Sequence, residues 1–331
     1  MKFNILMALF LCYTVSFGAL LGAVKPCSET GCVAVIPDNQ EYTSGEQLFT
    51  GDGNSLDKQW ALSKVMAPEA WQITSGESTV IVAVLDTGID QTHEDLAGKV
   101  IASTNFTRSL TVADIHGHGT HMAGIIAATE NGIGITGLAH DISLMNVKVA
   151  EDNGTCNAET VAEGIVWAVD NGAKVINISL TFAEPWSPLK NAVDYAWGKG
   201  AVLIAAAGNN FGSAPAYPAA YPNVIAVAAT DKDDHLPGWS NNGDWVSLGA
   251  PGVEIYSTLP GDGYGYESGT STAAALVSGE AALLFTIAAD TNGNGYVNDE
   301  VRHAIETNYD EVEIGELTKR RFNALKAAAT M

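Results

Sequence analysis

Positively charged residues are scarce in this sequence. Among 331 residues, 16 are lysine or arginine and 38 are aspartate or glutamate, so the formal net charge is −22. Nucleic acids and anionic membrane surfaces attract proteins through a positive footprint, and this composition therefore argues against both as partners. The acidic side chains are typical of a solvated, soluble surface, with calcium binding and salt tolerance as the alternatives.

Cysteine is also rare, with four residues in the whole chain. Cys12 lies in the apolar N-terminal stretch, Cys27 and Cys32 lie close together in CSETGC, and Cys156 stands alone. Two neighbouring cysteines do not complete a closed zinc site, which needs four ligands. In an oxidising compartment, Cys27 and Cys32 are predicted to close a small disulfide loop, and Cys156 would remain a free thiol.

Long apolar runs are absent after the N-terminus. Residues 1–23, MKFNILMALFLCYTVSFGALLGA, have an early lysine followed by an apolar stretch that ends in small residues. This pattern predicts a secretory signal peptide and a secreted protein. An uncleaved membrane anchor is the alternative, because the run approaches the length that spans a bilayer. No later segment has such a pattern, so we expect no membrane association after cleavage.

The next residues separate this stretch from a folded domain. Residues 24–57 are polar, rich in turn formers and without periodicity, which is typical of a linker or an extended N-terminal arm. From Gln59 onward, apolar runs alternate with helical patterns. The composition and length fit one large core, and we therefore place a single domain at residues 58–331.

Short β-branched runs within this domain predict buried parallel strands. These runs are VIVAVL, DISLMNVKV, KVINISL, AVLIAAA and NVIAVAA. Between them, two segments predict amphipathic helices: NAETVAEGIVWAVDNG, with Val161, Ile165, Ala168 and Val169 on one face, and SPLKNAVDYAWGKG, which Gly200 ends. The alternation predicts an α/β fold with a mostly parallel, doubly wound sheet and helices on both faces.

Three residues in distinctive local sequences point to chemistry. Asp86 lies in VIVAVLDTGID, His118 in HGHGTHMAGIIAA and Ser271 in YESGTSTAAALVSG. Taken singly, the aspartate is typical of a turn and the serine of a helix N-cap. A zinc site at His116, His118 and His121 lacks both the HExxH spacing and a completing ligand. Together, the three residues supply the carboxylate, base and nucleophile of covalent acyl transfer.

From about Gln59 to the C-terminus, the chain resembles the subtilisin-family serine proteases, the subtilases. The stretches VAVLDTGID, HGTHMAG and GTSTA resemble the aspartate, histidine and serine motifs of that family. KVINISL, AVLIAAAGNN, AYPAAYPNVIAVAATD and LGAPGVEIYSTLPG resemble segments of its core, in the same order. The resemblance implies a subtilisin-like three-layer fold and a monomeric serine endopeptidase that hydrolyses proteins or peptides. It assigns Asp86, His118 and Ser271 to the catalytic triad.

The resemblance also assigns residues around the triad. Asn209, in AAAGNN, matches the asparagine that donates to the oxyanion, although a turn residue after a strand is the alternative. The backbone segments that bind an extended peptide match Ser179, Leu180, Thr181, Gly154, Thr155 and Cys156, and the primary pocket matches walls at Ala206, Ala207 and Gly208 with a floor near Ala216. Small uncharged walls predict a preference for apolar or aromatic side chains. Thr181 stands where the family usually has glycine, and its β-branched side chain is expected to narrow the groove or shift the peptide.

A structural calcium ion is the cofactor that the resemblance implies. Asp95 and Asn131 match side-chain ligands of the family's tight site, where loop carbonyl groups complete the set; the matching carbonyls are those of Thr129, Ile133 and Ile135. Hard oxygen ligands in an irregular loop suit Ca²⁺. A second stretch, DTNGNGYVNDEV from Asp290, resembles the start of an EF-hand loop, but its twelfth residue is Val301 instead of glutamate. A turn is the alternative there.

Several departures from the family leave rival interpretations open. Thr272 and Ala275 replace a methionine and a proline that often follow the nucleophile, and residues 24–57 are short and irregular for a folding pro-domain. They are an N-terminal arm or a reduced pro-segment. One rival is a catalytically silent peptide-binding protein, against which the intact triad argues. The other is a processing protease with a single physiological target.

Overall fold

The computed structural model describes residues 33–36, 56–314 and 318–331. The predicted signal peptide and the Cys27–Cys32 pair lie outside the described residues. A nine-stranded sheet forms the centre, with the strand order β12-β13-β9-β8-β7-β6-β2-β4-β3. The strands within the described residues are β1 (Val33–Val35), β2 (Ile81–Asp86), β3 (Val100–Asn105), β4 (Ser143–Lys148), β5 (Thr155–Asn157), β6 (Val175–Ile178), β7 (Val202–Ala206), β8 (Val224–Thr230), β9 (Leu248–Pro251), β10 (Ile255–Leu259), β11 (Gly263–Glu267), β12 (Tyr309–Ile314) and β13 (Thr318–Phe322).

Helices cover both faces of this sheet. They are α1 (Trp60–Lys64), α2 (Ala67–Ala70), α3 (His118–Ala127), α4 (Ala158–Asp170), α5 (Ser187–Gly198), α6 (Thr270–Ile287), α7 (Asn298–Thr307) and α8 (Ala324–Ala328). All neighbouring strands of the large sheet pair in parallel, except for the antiparallel edge strand β12. The predicted three-layer α/β fold with a mostly parallel sheet is therefore confirmed.

Alternation along each strand separates the apolar side chains into two cores. In β2, Val82 and Val84 face the core that contains α3 and α6, while Ala83 and Leu85 face the core of α4 and α5. Successive side chains of a strand point to opposite faces of a sheet, and a strand covered on both faces is apolar throughout. This is why the predicted runs contain no polar alternation.

The observed strands and helices agree with those predicted from the apolar runs and the helical patterns of the sequence. The five runs correspond to β2, β4, β6, β7 and β8, and the two helical patterns to α4 and α5. The predicted apolar face of α4 is buried, and the side chain of Asn157 caps the helix by accepting from the backbone N–H of Thr160 at 2.9 Å. Gly200, with a φ of +85°, follows the end of α5 as predicted.

The fold gathers the candidate residues at the carboxyl edge of the sheet. Asp86 ends β2, and Ser179 follows directly after the neighbouring strand β6, whose Ile178 pairs with Leu85. Ligands of doubly wound sheets bind at this edge. Helix α6 is the one described helix whose length and composition would allow it to cross a membrane, and it is mostly buried inside the protein, as a core helix is.

Candidate active site

The buried carboxylate of Asp86 orients His118, the candidate catalytic base. Asp86 is fully buried, and the Nδ1–H of His118 donates to its Oδ1 at 2.8 Å. The backbone N–H of Thr87 donates to the same oxygen at 2.7 Å, whereas Oδ2 has no hydrogen-bond partner among the described residues. Because Nδ1 keeps its proton and donates it in the hydrogen bond to Asp86, Nε2 of His118 is left as the basic nitrogen.

Asp114, which no sequence motif singled out, fixes the backbone around this pair. Its Oδ1 accepts from the hydroxyl of Thr87 and from the backbone N–H groups of His116 and Gly117. Its Oδ2 accepts from both the backbone N–H and the hydroxyl of Thr120. The hydroxyl of Thr87 in turn accepts from the backbone N–H of Gly119, at 3.0 Å. Asp114 thus ties the turn after β2 to the first turn of α3.

Charge sets the proton affinity of His118. Burial by itself would lower the pKa of His118, but the charge and hydrogen bond of Asp86, together with the charges of Glu267 and Asp114, raise it to about 9. The imidazolium that forms when the histidine accepts a proton is therefore strongly favoured.

Glu267 is a further buried carboxyl group whose charge acts on His118. It ends β11 and is 6% exposed, and its Oε2 lies 3.7 Å from Nδ1 of His121. Burial raises the pKa of Glu267 to about 8; the charges of Asp86 and Asp114 act in the same direction, and that of His118 opposes them. Burial lowers the pKa of His121 to about 3, so this histidine is neutral, and its Nε2–H donates to the carbonyl of Gly265.

The candidate nucleophile opens the longest helix. Ser271 is the second residue of α6, where backbone N–H groups have no acceptor within the helix and the helix dipole is positive. Its hydroxyl donates to the carbonyl of Ser179 at 3.4 Å, and the described residues contain no hydrogen bond between Ser271 and His118. Such bonds are often long or absent in free enzymes. The hydroxyl of Thr272 donates to the backbone carbonyl of Gly269, at 2.9 Å, within the first turn of the helix.

Thr270 orients Asn209 and was missed by the sequence reasoning. The carboxamide oxygen of Asn209 accepts from both the backbone N–H and the hydroxyl of Thr270, each at 2.9 Å. That oxygen is thereby turned toward α6, and the amide nitrogen Nδ2 is left as a donor beside Gly269. The hydroxyl of Thr270 also accepts from the backbone N–H of Gly208. The position of Thr270 directly before the candidate nucleophile Ser271 was the one sequence feature that could have pointed to this role.

A pocket adjoins the serine. Its lining residues are Ala34, Ile36, Cys156, Ser179, Leu180, Thr181, Ala206, Gly208, Asn209, Thr270 and Ser271. Most of the residues predicted for the groove therefore lie there. Cys156 has a free, buried thiol whose pKa burial raises to about 12, so it is a poor nucleophile.

The chain's own strand β1 occupies one side of this pocket. It pairs antiparallel with β5, so that Ala34 lies opposite Cys156, and the N–H of Ile36 donates to the carbonyl of Gly154 at 3.0 Å. Ile36 is 3% exposed. Gly154 and Thr155 thus contribute backbone to this pairing with an extended segment of the same chain.

Two predicted pocket residues lie apart from the lining. Ala207 is fully buried and packs with Ala228 and Val246 in a small core cluster. Ala216 is buried, and its carbonyl accepts from the N–H of Ala220. Neither side chain contributes to the pocket surface next to Ser271.

The predicted calcium ligands form one loop around Asp95. Its Oδ1 accepts from Nδ2 of Asn131 at 2.9 Å, and its Oδ2 accepts from the N–H of Ile135 and from the hydroxyl of Tyr264. The N–H of Thr129 donates to the backbone carbonyl of Asp95, and that of Ile133 donates to the carboxamide oxygen of Asn131. Burial and the carboxylates of Asp95 and Glu94 raise the pKa of Tyr264, so its hydroxyl stays protonated.

The second calcium candidate is a closed turn. Both carboxylate oxygens of Asp290 accept backbone N–H groups, from Gly293 and Gly295. Asn292 and Asn294 donate their side-chain amides to Asp299.

The chemistry of this edge is that of a serine hydrolase. A histidine whose one nitrogen is held by a buried carboxylate shares the carboxyl edge of a parallel sheet with a serine at a helix N-terminus.

Comparisons with known proteins narrow this class to one family. The family model "Subtilase family" matches residues 77–325. The chain is 46% identical to the thermophilic serine proteinase of Bacillus sp. (strain AK1) over 279 residues, which cover 82% of this chain and 68% of that protein. It is 42% identical to thermitase of Thermoactinomyces vulgaris over 291 residues, covering 86% of this chain and 99% of that one. Subtilisin Savinase of Lederbergia lenta is 41% identical over 226 residues, or 68% and 83% of the two chains. The chain belongs to the subtilase family, and it is a serine-type endopeptidase that acts on proteins or peptides.

Proposed function

We propose that this protein is a secreted endopeptidase in which Ser271 attacks the scissile carbonyl and forms an acyl-enzyme. His118 takes the serine proton at Nε2 as general base and returns it to the leaving amine. Asp86 holds the imidazole in the required tautomer and stabilises its charged form. The observation that carries this proposal is the 2.8 Å bond from His118 to a fully buried carboxylate.

The oxyanion site follows from the bonds around Thr270. Nδ2 of Asn209 and the backbone N–H of Ser271 are the two donors that we assign to the developing negative charge. Thr270 keeps the carboxamide oxygen of Asn209 away from that charge, because both of its donors engage this oxygen. The positive end of α6 acts in the same direction.

Strand β1 supports an extended binding mode for the substrate. Main-chain pairing with β5 gives affinity without sequence preference, and side-chain pockets add selectivity. The uncharged residues Leu180, Ala206 and Gly208 favour an apolar side chain before the scissile bond. The N-terminal sequence supports secretion, and the net charge of −22 argues against nucleic acid as a ligand.

A structural calcium ion fits the loop around Asp95 in its chemistry. A buried carboxylate, a carboxamide and backbone carbonyls are the hard oxygen ligands that Ca²⁺ takes. Asp95 and Asn131 would hold the ion with the carbonyls of Thr129, Ile133 and Ile135, once the amide of Asn131 turns its oxygen inward. The ion would stabilise the loop and take no part in the chemical step.

A fluorophosphonate probe tests the proposal directly. The purified protein is expected to be labelled at Ser271, and the Ser271→Ala variant to remain unlabelled. The His118→Ala variant should lose labelling as well, because the serine then has no base. Mass spectrometry of the labelled peptide identifies the residue.

The outcomes separate the two classes of function. Labelling of another residue, or equal labelling of the Ser271→Ala variant, would overturn the assignment of the nucleophile. A folded protein that is never labelled, but that binds peptides along β5, would support the silent peptide-binding protein instead.

A further inference from the structure

One wall of the primary pocket carries the side chain of Thr181. A glycine at this position would leave the pocket open. Thr181 lies three residues beyond the end of β6, and Gly208 lies two residues beyond the end of β7. These strands are neighbours, with Ile178 opposite Ala205, so the two segments face each other across the pocket.

The distance between these walls is small. A methyl group built on Gly208 would lie 3.6 Å from Cγ2 of Thr181. Since such a methyl lies about 1.5 Å from its own Cα, Cγ2 of Thr181 is at most about 5 Å from the Cα of Gly208. A carbon atom in contact with both walls needs about 3.5–4.0 Å to each, or about 7–8 Å between them. No aromatic ring or branched chain fits at this level.

Both walls are held in place by backbone hydrogen bonds. On one side, the N–H of Gly208 donates to Thr270, and its carbonyl accepts from the N–H of Asn241 at 2.8 Å. On the other side, Phe182, directly after Thr181, exchanges two backbone hydrogen bonds with Tyr217, at 2.7 and 2.8 Å. Widening the pocket would break these bonds.

Rotation of the threonine does not open the pocket either. A β-branched side chain carries two heavy atoms on Cβ and is stiff about χ1, so most rotamers leave a methyl or a hydroxyl in the gap.

We propose that Thr181 closes the primary pocket to large side chains and restricts cleavage to positions after alanine, glycine or serine. This inference rests on the proposed function, because it concerns the peptide that Ser271 attacks. The inference adds a size limit to the proposed preference of the pocket. The side chains of alanine, glycine and serine have at most one heavy atom beyond Cβ, so they end before they meet the methyl group of Thr181.

Tetrapeptide 4-nitroanilides that differ only in an alanine or a phenylalanine before the scissile bond test this. We expect the wild-type kcat/KM for alanine to exceed that for phenylalanine by about ten-fold or more. In the Thr181→Gly variant, kcat/KM for the phenylalanine substrate should rise by about ten-fold or more, while that for alanine changes little. The Thr181→Val variant is the matched control, because it keeps the shape of the side chain and should keep the alanine preference.

Four results bear on the inference. Equal cleavage of both substrates by the wild type, or an unchanged ratio in the Thr181→Gly variant, would overturn it. Labelling of Ser271 by the fluorophosphonate probe does not depend on the pocket, so a labelled enzyme that prefers phenylalanine contradicts this inference alone. An unlabelled protein that cleaves neither substrate contradicts the proposed function, and the inference falls with it.

Discussion

At the scale of single residues, the proton affinity of His118 depends on carboxyl groups from three separate segments. Asp86 ends β2, Asp114 precedes α3 and Glu267 ends β11. The sequence motif identified only the first, because the other two carry no local signal of their own. Their roles arise from hydrogen bonds and charges that cross between segments.

The pH dependence of activity tests this arrangement. His118 acts as a base only when neutral, so kcat/KM is expected to rise with pH through its raised pKa of about 9. The Glu267→Gln variant removes one of the charges that raise this pKa, and its activity profile should move to lower pH. The measurement is the pH dependence of kcat/KM for one peptide substrate.

A surface substitution provides the control for that experiment. Glu163 lies exposed on α4, and the Glu163→Gln variant should have the wild-type profile. Identical profiles for the wild type and the Glu267→Gln variant would show that Glu267 does not act on His118.

At the scale of elements, strand β1 pairs with β5, where we propose that the substrate binds. An attached segment competes at an effective concentration on the order of millimolar. A charge at Ile36, which is buried in the pocket, should disfavour this occupancy. We therefore expect the Ile36→Asp variant, in a chain that keeps this segment, to have a KM about ten-fold lower at unchanged kcat.

Steady-state kinetics with a short peptide substrate measures both constants. The Ile36→Val variant serves as the control and should keep the wild-type KM. A change in kcat without a change in KM would contradict competition between β1 and the substrate.

Helix α6 contains a buried acid that nothing in its sequence pattern explains. Glu280 is fully buried, and neither carboxyl oxygen has a hydrogen-bond partner among the described residues. Burial raises the pKa of Glu280 well above its usual value. An unpaired polar group in a protein core costs about 1–3 kcal/mol. The Glu280→Met variant should therefore raise the free energy of unfolding by about that amount.

The sign of the pH effect follows from the raised pKa. Above the ordinary glutamate pKa, the unfolded chain releases this proton while the native state keeps it, so stability falls as the pH rises. The advantage of the Glu280→Met variant should be greater at about pH 8 than at about pH 4. Denaturant unfolding in a Ser271→Ala background, which prevents self-digestion, measures it. Equal advantages at both pH values would contradict the assignment.

At the scale of the whole molecule, the calcium ion that we propose at the loop around Asp95 predicts that stability depends on this cation. At a hundred-fold excess over Kd, a bound ion stabilises the native state by about 2.7 kcal/mol. Chelation should therefore lower the Tm by about 5–10 °C. The Asp95→Asn variant should have a lower Tm that no longer responds to calcium.

The turn at Asp290 offers the matched control. Its carboxylate accepts two backbone N–H groups, so the Asp290→Asn variant should keep the wild-type response of the Tm to calcium. Loss of the response in this variant, with retention in Asp95→Asn, would place the ion at the other loop.

The sequence by itself determined the strands β2, β4, β6, β7 and β8 and the helices α4 and α5, and it predicted Asp86, His118 and Ser271 as the catalytic triad. These depend on local patterns: β-branched runs, helical periodicity, and motifs in which a few neighbouring residues carry the chemistry.

Only the tertiary structure decided how Thr270 turns Asn209, how Asp114 and Glu267 surround His118, and how near Thr181 comes to Gly208. Residues far apart in the chain make these contacts, and their distances follow from the register of the sheet and the packing of α3 and α6. A local pattern contains no information about such distances, because the same pattern is compatible with many separations between segments.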